Sequence, residues 1–239
     1  MRDLAAISFV LLAAAVCTSL GFWQLDRLEQ RRARNTQLSE GLDLPPLTLD
    51  SAAIAGLARS PESYLYRRVH LRGSYAAEPV ILRGRSFQGQ PGVHLLAPLL
   101  VEGSDVAVLI NRGWIPSDDA ATVDPRPFHA TAPVEVEGIL NLFPPAEGLG
   151  VPATLDMEGH RVHTLARLDV AALRSYATDR LAPFYVQQLP GSASGELPYA
   201  LPPPPLDEGS HLTYAVQWFG FAATFLIGLV VVAARRRVR

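Results

Sequence analysis

Residues 212–234 read LTYAVQWFGFAATFLIGLVVVAA, and apart from tyrosine and tryptophan their polar members are Thr213, Gln217 and Thr224. A comparable run, LAAISFVLLAAAVCTSLGFWQL at residues 4–25, carries no charge. At about 1.5 Å of rise per residue, each run as a helix exceeds the roughly 30 Å of a bilayer's hydrocarbon core. The two stretches predict membrane helices over 4–25 and 212–234. A cleaved signal peptide could also open with Arg2 and an apolar run. The apolar length here exceeds the roughly 7–15 residues of a signal core, and no small-residue cleavage site precedes a polar start. Val16 is also bulkier than the residue expected before a lipid-bearing Cys17. An uncleaved anchor is the expectation.

Two spans put both ends of the chain on one side and the middle on the other. The positive-inside rule divides here: Arg2 and the basic tail at 235–239 lie on one side, while Arg27, Arg31, Arg32 and Arg34 follow the first span on the other. Long translocated loops are less bound by charge, so termini in the cytoplasm and a periplasmic middle domain are expected, in a bacterial inner membrane.

Between the spans the pattern changes to period two. Val69 and Leu71 alternate with Arg68, His70 and Arg72, and Val134 and Val136 alternate with Glu135 and Glu137, as in half-buried strands. Residues 106–110, VAVLI, are apolar throughout, which suits a central strand covered on both faces. Its partner is expected over 94–100, joined by the turn Glu102-Gly-Ser-Asp105. Further strands are expected over 80–83, 162–168 and 184–189, with one short helix capped by Asp169 and running to about Ala177. The fold class is therefore a membrane protein of α+β type. Two transmembrane helices flank a mainly antiparallel β domain, a small barrel or a sandwich, with one short helix. A helical extension and linker fill 26–63, the β domain 64–189, and a Pro/Gly-rich linker 190–210, in which Pro202 to Pro205 form either a semi-rigid spacer or an unstructured tether.

Composition removes several classes of chemistry. The chain of 239 residues is 49% hydrophobic and 18% charged, with a net charge of −2, against an ordinary charged share of about 25%. This excludes a disordered chain, a coiled coil and a nucleic-acid binder. All 21 basic residues are arginine, so lysine-dependent phosphate loops, Schiff bases and Ser–Lys dyads are absent. Cys17 has no cysteine to pair with. There is no His-Glu-x-x-His, no Cys-x-x-Cys-His and no Gly-x-Ser-x-Gly. His160-x-x-His163 falls on a predicted strand, where a spacing of three points side chains to opposite faces. His70 and His129 read as solvated surface. A membrane-tethered hydrolase is disfavoured, and the chain reads as a non-enzyme.

The informative cluster forms when the two apolar helices run antiparallel. Trp23, Gln24 and Arg27 then share a membrane surface with His211, Tyr214, Gln217 and Trp218. His211, Tyr214 and Trp218 fall on one helical stripe. An imidazole can ligate iron, aromatic rings can flank an apolar macrocycle, and arginine can pair with propionates. The same residues equally suit an interfacial aromatic belt with Gln24 and Gln217 bonding between helices. At the end of the apolar strand, Gly113 permits a turn or bulge, and Arg112 and Trp114 either close the domain's core or face an acidic partner.

Three ordered segments carry a family resemblance: Gly21-Phe-Trp-Gln-Leu-Asp-Arg27, Asn111-Arg-Gly-Trp-Ile-Pro116 and His211-Leu-Thr-Tyr-Ala-Val-Gln-Trp-Phe219. With Tyr66 to Gly73 and Gly92 to Pro98 between them, they resemble the surfeit locus protein 1 family over nearly the whole chain. The resemblance implies a non-enzymatic assembly factor for haem–copper cytochrome c oxidase, whose partners are oxidase subunits, chiefly the haem-bearing catalytic one, and the lipid bilayer. It also implies transient holding of haem a, with His211 as iron ligand. Tyr214, Trp218, Gln217, Trp23, Gln24, Arg27, Arg112 and Trp114 are the other candidate cofactor-binding residues. The alternative is a cofactor-free module that docks oxidase subunits.

Overall fold

The computed structural model describes residues 2–75, 79–130, 132–145, 153–157, 160–176, 180–191 and 196–237. The expected helix end at Ala177 and the last two residues of the basic tail lie outside them. The chain divides into two compact units, one of Met1–Gln37 with Pro205–Arg239 and one of Leu38–Pro204.

The first unit holds two long helices, α1 (Arg2–Asp43) and α4 (His211–Arg237). Both are long and apolar enough to cross a membrane, and their most apolar windows are only 17% and 11% buried. So little burial is wrong for the core helix of a water-soluble protein and right for a lipid-facing one. Within the two apolar runs the buried positions are small residues: Ala14, Cys17 and Gly21 in α1, Ala215 and Ala222 in α4. Small side chains let membrane helices approach closely where lipid removes the hydrophobic drive to associate. α1 continues well past the predicted span. Its polar continuation from Asp26 to Asp43 has no helix-ending glycine or proline before Gly41 and Pro45.

The second unit is built on β1 (Leu47–Thr48), β2 (Arg68–Tyr75), β3 (Val80–Phe87), β4 (Gln90–Val101), β5 (Ala107–Pro116), β6 (Val134–Leu142), β7 (Ala153–Met157), β8 (His160–Leu165) and β9 (Leu181–Gln188). Two short helices accompany them, α2 (Ser51–Leu57) and α3 (Val170–Tyr176). The strands lie in the order β1-β2-β6-β9-β5-β4-β3-β8-β7, with a further pairing of β2 to β4. That pairing, from Gly73 opposite Val101 to Tyr75 opposite Leu99, closes β2, β6, β9, β5 and β4 into a five-stranded barrel. A side chain at Gly73 would place its Cβ 2.1 Å from the Leu100 carbonyl oxygen, so closure needs glycine there.

The barrel decides between the two architectures that alternation alone left open. Most pairings are antiparallel, but β1–β2, β3–β8 and β5–β9 are parallel. The expected strand at 162–168 is shifted to His160–Leu165 and pairs with β7, whose short sequence signalled no strand. The predicted cap holds: Asp169 Oδ1 accepts the N–H groups of Ala171 and Ala172 at 2.9 and 3.1 Å to start α3. Asp50 does the same for α2, accepting from Ala53 N–H at 2.8 Å.

β5 is the strand shared by two cores. Val108 and Ile110 face the barrel interior with Phe184, Val186, Leu99 and Leu140, and Ile54 and Leu57 of α2 also pack in this core. Ala107 and Leu109 point the other way, into a core with Leu82, Leu96 and Leu173 of α3. Four consecutive apolar residues are needed because both faces are dry. On β2 and β6 the exposed alternates, His70, Arg72, Glu135 and Glu137, confirm that one face is solvated.

Near its end β5 bulges. Gly113 pairs with Leu95 and Asn111 with Leu96, which leaves Arg112 as the extra residue. Gly113 sits at φ +129°, and a Cβ there would lie 2.2 Å from the Tyr199 carbonyl oxygen. Trp114 and Tyr199 exchange backbone hydrogen bonds at 2.9 and 2.7 Å, and Phe87 packs on both rings. Gln187 Nε2 donates to the carbonyls of Leu201 and Pro202 at 3.3 and 3.2 Å. The segment at 198–202 is thus anchored to the barrel rather than loose.

The bulge also fixes a buried polar pair. Asn111 Oδ1 accepts the Gly113 N–H at 3.2 Å, so its Nδ2 donates to His94 Nδ1, also 3.2 Å away. Burial, helped by the Arg85 charge, pushes the His94 pKa down from 6.5 to about 4.

Two predictions follow from the bulge. Gly113→Ala should lower unfolding stability by roughly 1–3 kcal/mol from backbone strain, with a further loss from displacing Tyr199, measurable by denaturant melts of the purified chain. For His94 the unfolded ring binds protons that the folded ring refuses. Its contribution is therefore intact above pH 6.5 and is lost as pH falls toward about 4. The difference in melting temperature between wild type and His94→Gln should narrow across that window; a constant difference would contradict it.

Candidate functional site

Of the helical candidates, two are joined directly. His211 opens α4, and its Nδ1 lies 2.9 Å from Gln24 Oε1 on α1. A carbonyl oxygen only accepts, so Nδ1 carries the proton and Nε2 keeps its lone pair. No described residue hydrogen-bonds Nε2. This is the arrangement of a metal-binding imidazole whose other nitrogen is held by an orienting acceptor. Among the described residues no group of three or more His, Cys, Asp or Glu could hold a metal ion. A lone imidazole can offer a metal group one ligand and no more.

Among the described residues, no hydrogen bond or ring contact joins the remaining helical candidates to this pair. Trp218 is half-buried and meets Phe221 edge-on, with centroids 5.9 Å apart. Trp23, Tyr214 and Gln217 are exposed. Arg27 is turned along its own helix, donating to Gln30 Oε1 at 2.9 Å.

Arg112 and Trp114 belong to the β unit and find partners there. The Arg112 guanidinium donates to the Phe128 carbonyl and lies 4.8 Å over the Tyr75 ring, a cation–π contact. Trp114 is buried against Phe87.

A charge clamp at the α4 entrance escaped the sequence reading. Arg31 donates to the Asp207 carbonyl at 2.9 Å and meets its carboxylate at 3.3 Å. Arg32 grips Glu208 with two bonds of 2.8 and 2.9 Å, and Asn35 donates to the Asp207 carbonyl at 2.8 Å. The Arg32 hydrogen bond holds the Glu208 carboxyl below the usual carboxylate range. The signal was present: two adjacent acids just before one apolar run, two adjacent arginines just after the other. Antiparallel helices bring such pairs to one level. Being exposed, the pairs contribute little stability singly, but they fix which residues of the two helices face each other.

A family model described as the SURF1 family matches residues 11–223. An uncharacterized SURF1-like protein of Mycobacterium tuberculosis is 29% identical over 226 residues, covering 92% of this chain and 80% of that protein. Surfeit locus protein 1 of Takifugu rubripes is 26% identical over 240 residues, covering 90% of this chain and 91% of its own. A shorter similarity, 29% over 111 residues, joins 46% of the chain to 28% of the Saccharomyces cerevisiae protein named cytochrome oxidase assembly protein SHY1.

The Gln24 contact predicts the ring's tautomer. In the neutral ring, two-bond ¹⁵N–¹H correlations should find the His211 proton on Nδ1 in wild type and shared between both nitrogens in Gln24→Leu. A wild-type ring protonated on Nε2 would remove the lone pair on which metal binding depends.

Proposed function

This chain belongs to the SURF1 family, and from that premise we propose that it is a membrane-anchored, non-enzymatic assembly factor for haem–copper cytochrome c oxidase. It holds haem a in transit as cargo and helps to insert it into the catalytic subunit. The hydrogen bond from His211 Nδ1 to Gln24 carries the proposal, since it leaves Nε2 available to iron at a membrane surface. The naming of the yeast relative as a cytochrome oxidase assembly protein supports the partner. Bound haem a would supply the iron and formyl chemistry of the oxidase that receives it. His211 would hold the iron, with Gln24 orienting its ring, and Trp218 and Tyr214 would offer aromatic surface to the cargo. Arg27 can exchange its bond to Gln30 for a propionate.

The topology that serves this role puts both termini in the cytoplasm and the β unit in the periplasm, at a bacterial inner membrane. A long translocated segment is little bound by its charge, so Arg27, Arg31, Arg32 and Arg34 are compatible with that orientation. The exposure of Trp23 and Tyr214, together with the internal pairing of Arg112, favours a second reading in which the chain docks oxidase subunits and carries no cofactor.

Purification from cells that make haem a separates the two. The wild-type absorption spectrum should show bound haem, His211→Ala should lose it, and Gln24→Leu should weaken it about tenfold. Haem-free wild type removes the cargo role, and an undiminished spectrum in His211→Ala removes His211 as the ligand. Pull-down of oxidase subunits by that haem-free protein then establishes the docking module.

A further inference from the structure

The β unit contains a cavity of about 710 Å³, within the usual range of small-molecule sites. Its polar lining comes from Arg85, His94, Asn111, Arg167, Tyr185 and Gln187. Leu82, Leu142, Pro144, Leu168 and Val170 supply apolar walls. None of these residues takes part in holding haem in the proposal above.

Arg85 lies half-buried in the cavity wall. Its Nε is buried with no hydrogen-bond partner in the protein, while its Nη2 reaches only the Ala166 carbonyl at 3.2 Å. No carboxylate pairs with it among the described residues. Burial lowers the guanidinium's pKa, although nearby Tyr185 opposes the shift. A cation kept partly dry without a counter-charge is costly, and buried polar atoms left unbonded in a native fold call for a missing partner.

The neighbouring groups define that partner. The His94–Asn111 pair leaves His94 protonated on Nε2, a donor. Burial raises the Tyr185 pKa, with Arg85 pulling against it, so the phenol remains a donor. The acid on the wall, Asp169, has Oδ1 occupied by the first backbone N–H groups of α3. Donors and positive charge on one side, with aliphatic carbons and proline rings on the other, match a ligand that has an anionic head on an apolar body.

We infer that this cavity binds a small organic anion, a carboxylate or a phosphate monoester carried on an apolar group, through the Arg85 guanidinium. The planar fork of arginine suits two oxygens of either head group. Wall residues admit an uncharged body in place of water, and the donor-rich lining rejects metal cations.

The test uses the full chain in nanodiscs, titrated calorimetrically with phenylacetate, phenyl phosphate, inorganic phosphate and the neutral isostere phenylacetamide. At least one of the two organic anions should bind saturably at one site, with phenylacetamide weaker by about tenfold or more. Tighter binding of phenylacetate identifies a carboxylate ligand, and tighter binding of phenyl phosphate a phosphate monoester. Arg85→Gln should weaken the preferred anion by about tenfold or more. Ala171→Trp, which adds a bulky ring to the cavity's lining and leaves Arg85 in place, should weaken binding by about tenfold or more. It keeps the test decisive if Arg85→Gln does not fold. The inference is overturned if neither organic anion binds saturably, if phenylacetamide or inorganic phosphate binds as tightly, or if Ala171→Trp binds as wild type does.

Discussion

The β unit depends on keeping both faces of β5 dry. A strand with Val108 and Ile110 on one side and Ala107 and Leu109 on the other cannot be satisfied by one sheet facing water. The chain meets the demand by curling β2, β6, β9, β5 and β4 into a closed barrel and laying α3, β3 and β8 over the outside of β5 and β4. Everything polar near that strand is displaced toward its end. There the bulge at Arg112 turns one residue out of register and Gly113 admits the Tyr199 segment. The bulge is also what orients Asn111 toward His94, so a packing device and a polar device share the same three residues.

The helical unit solves a different problem. Lipid gives α1 and α4 no hydrophobic reason to associate, so contact relies on small buried residues and on directional bonds at the polar end. Arg31, Arg32 and Asn35 against Asp207 and Glu208 set the level of one helix against the other. That level brings Gln24 to His211. The charge match and the His211–Gln24 bond thus lie at the same end of the two helices.

Each unit carries one polar centre. In the helical unit the His211 ring is hydrogen-bonded at Nδ1 by Gln24, and no described residue bonds its Nε2. In the β unit the Arg85 guanidinium meets the Ala166 carbonyl and no carboxylate among the described residues. Arg112 illustrates how a prominent motif residue can be structural: its charge is consumed by the Phe128 carbonyl and the Tyr75 ring.

The sequence by itself determined the two apolar helices, the central strand, the alternating strands around it, the cap at Asp169, and the family. Each depends on residues close together in the chain, through hydrophobic period, turn chemistry or an ordered motif. It also brought Gln24 and His211 to one surface, because antiparallel spans leave little choice. Only the tertiary structure decided for a barrel over a sandwich, since closure rests on β2 meeting β4 across a bare glycine, a contact with no local signature. The same holds for the Arg85 cavity. Arg85, Asn111 and Tyr185 are far apart in sequence and signal nothing singly, and burial without a partner is a property of the packed chain alone.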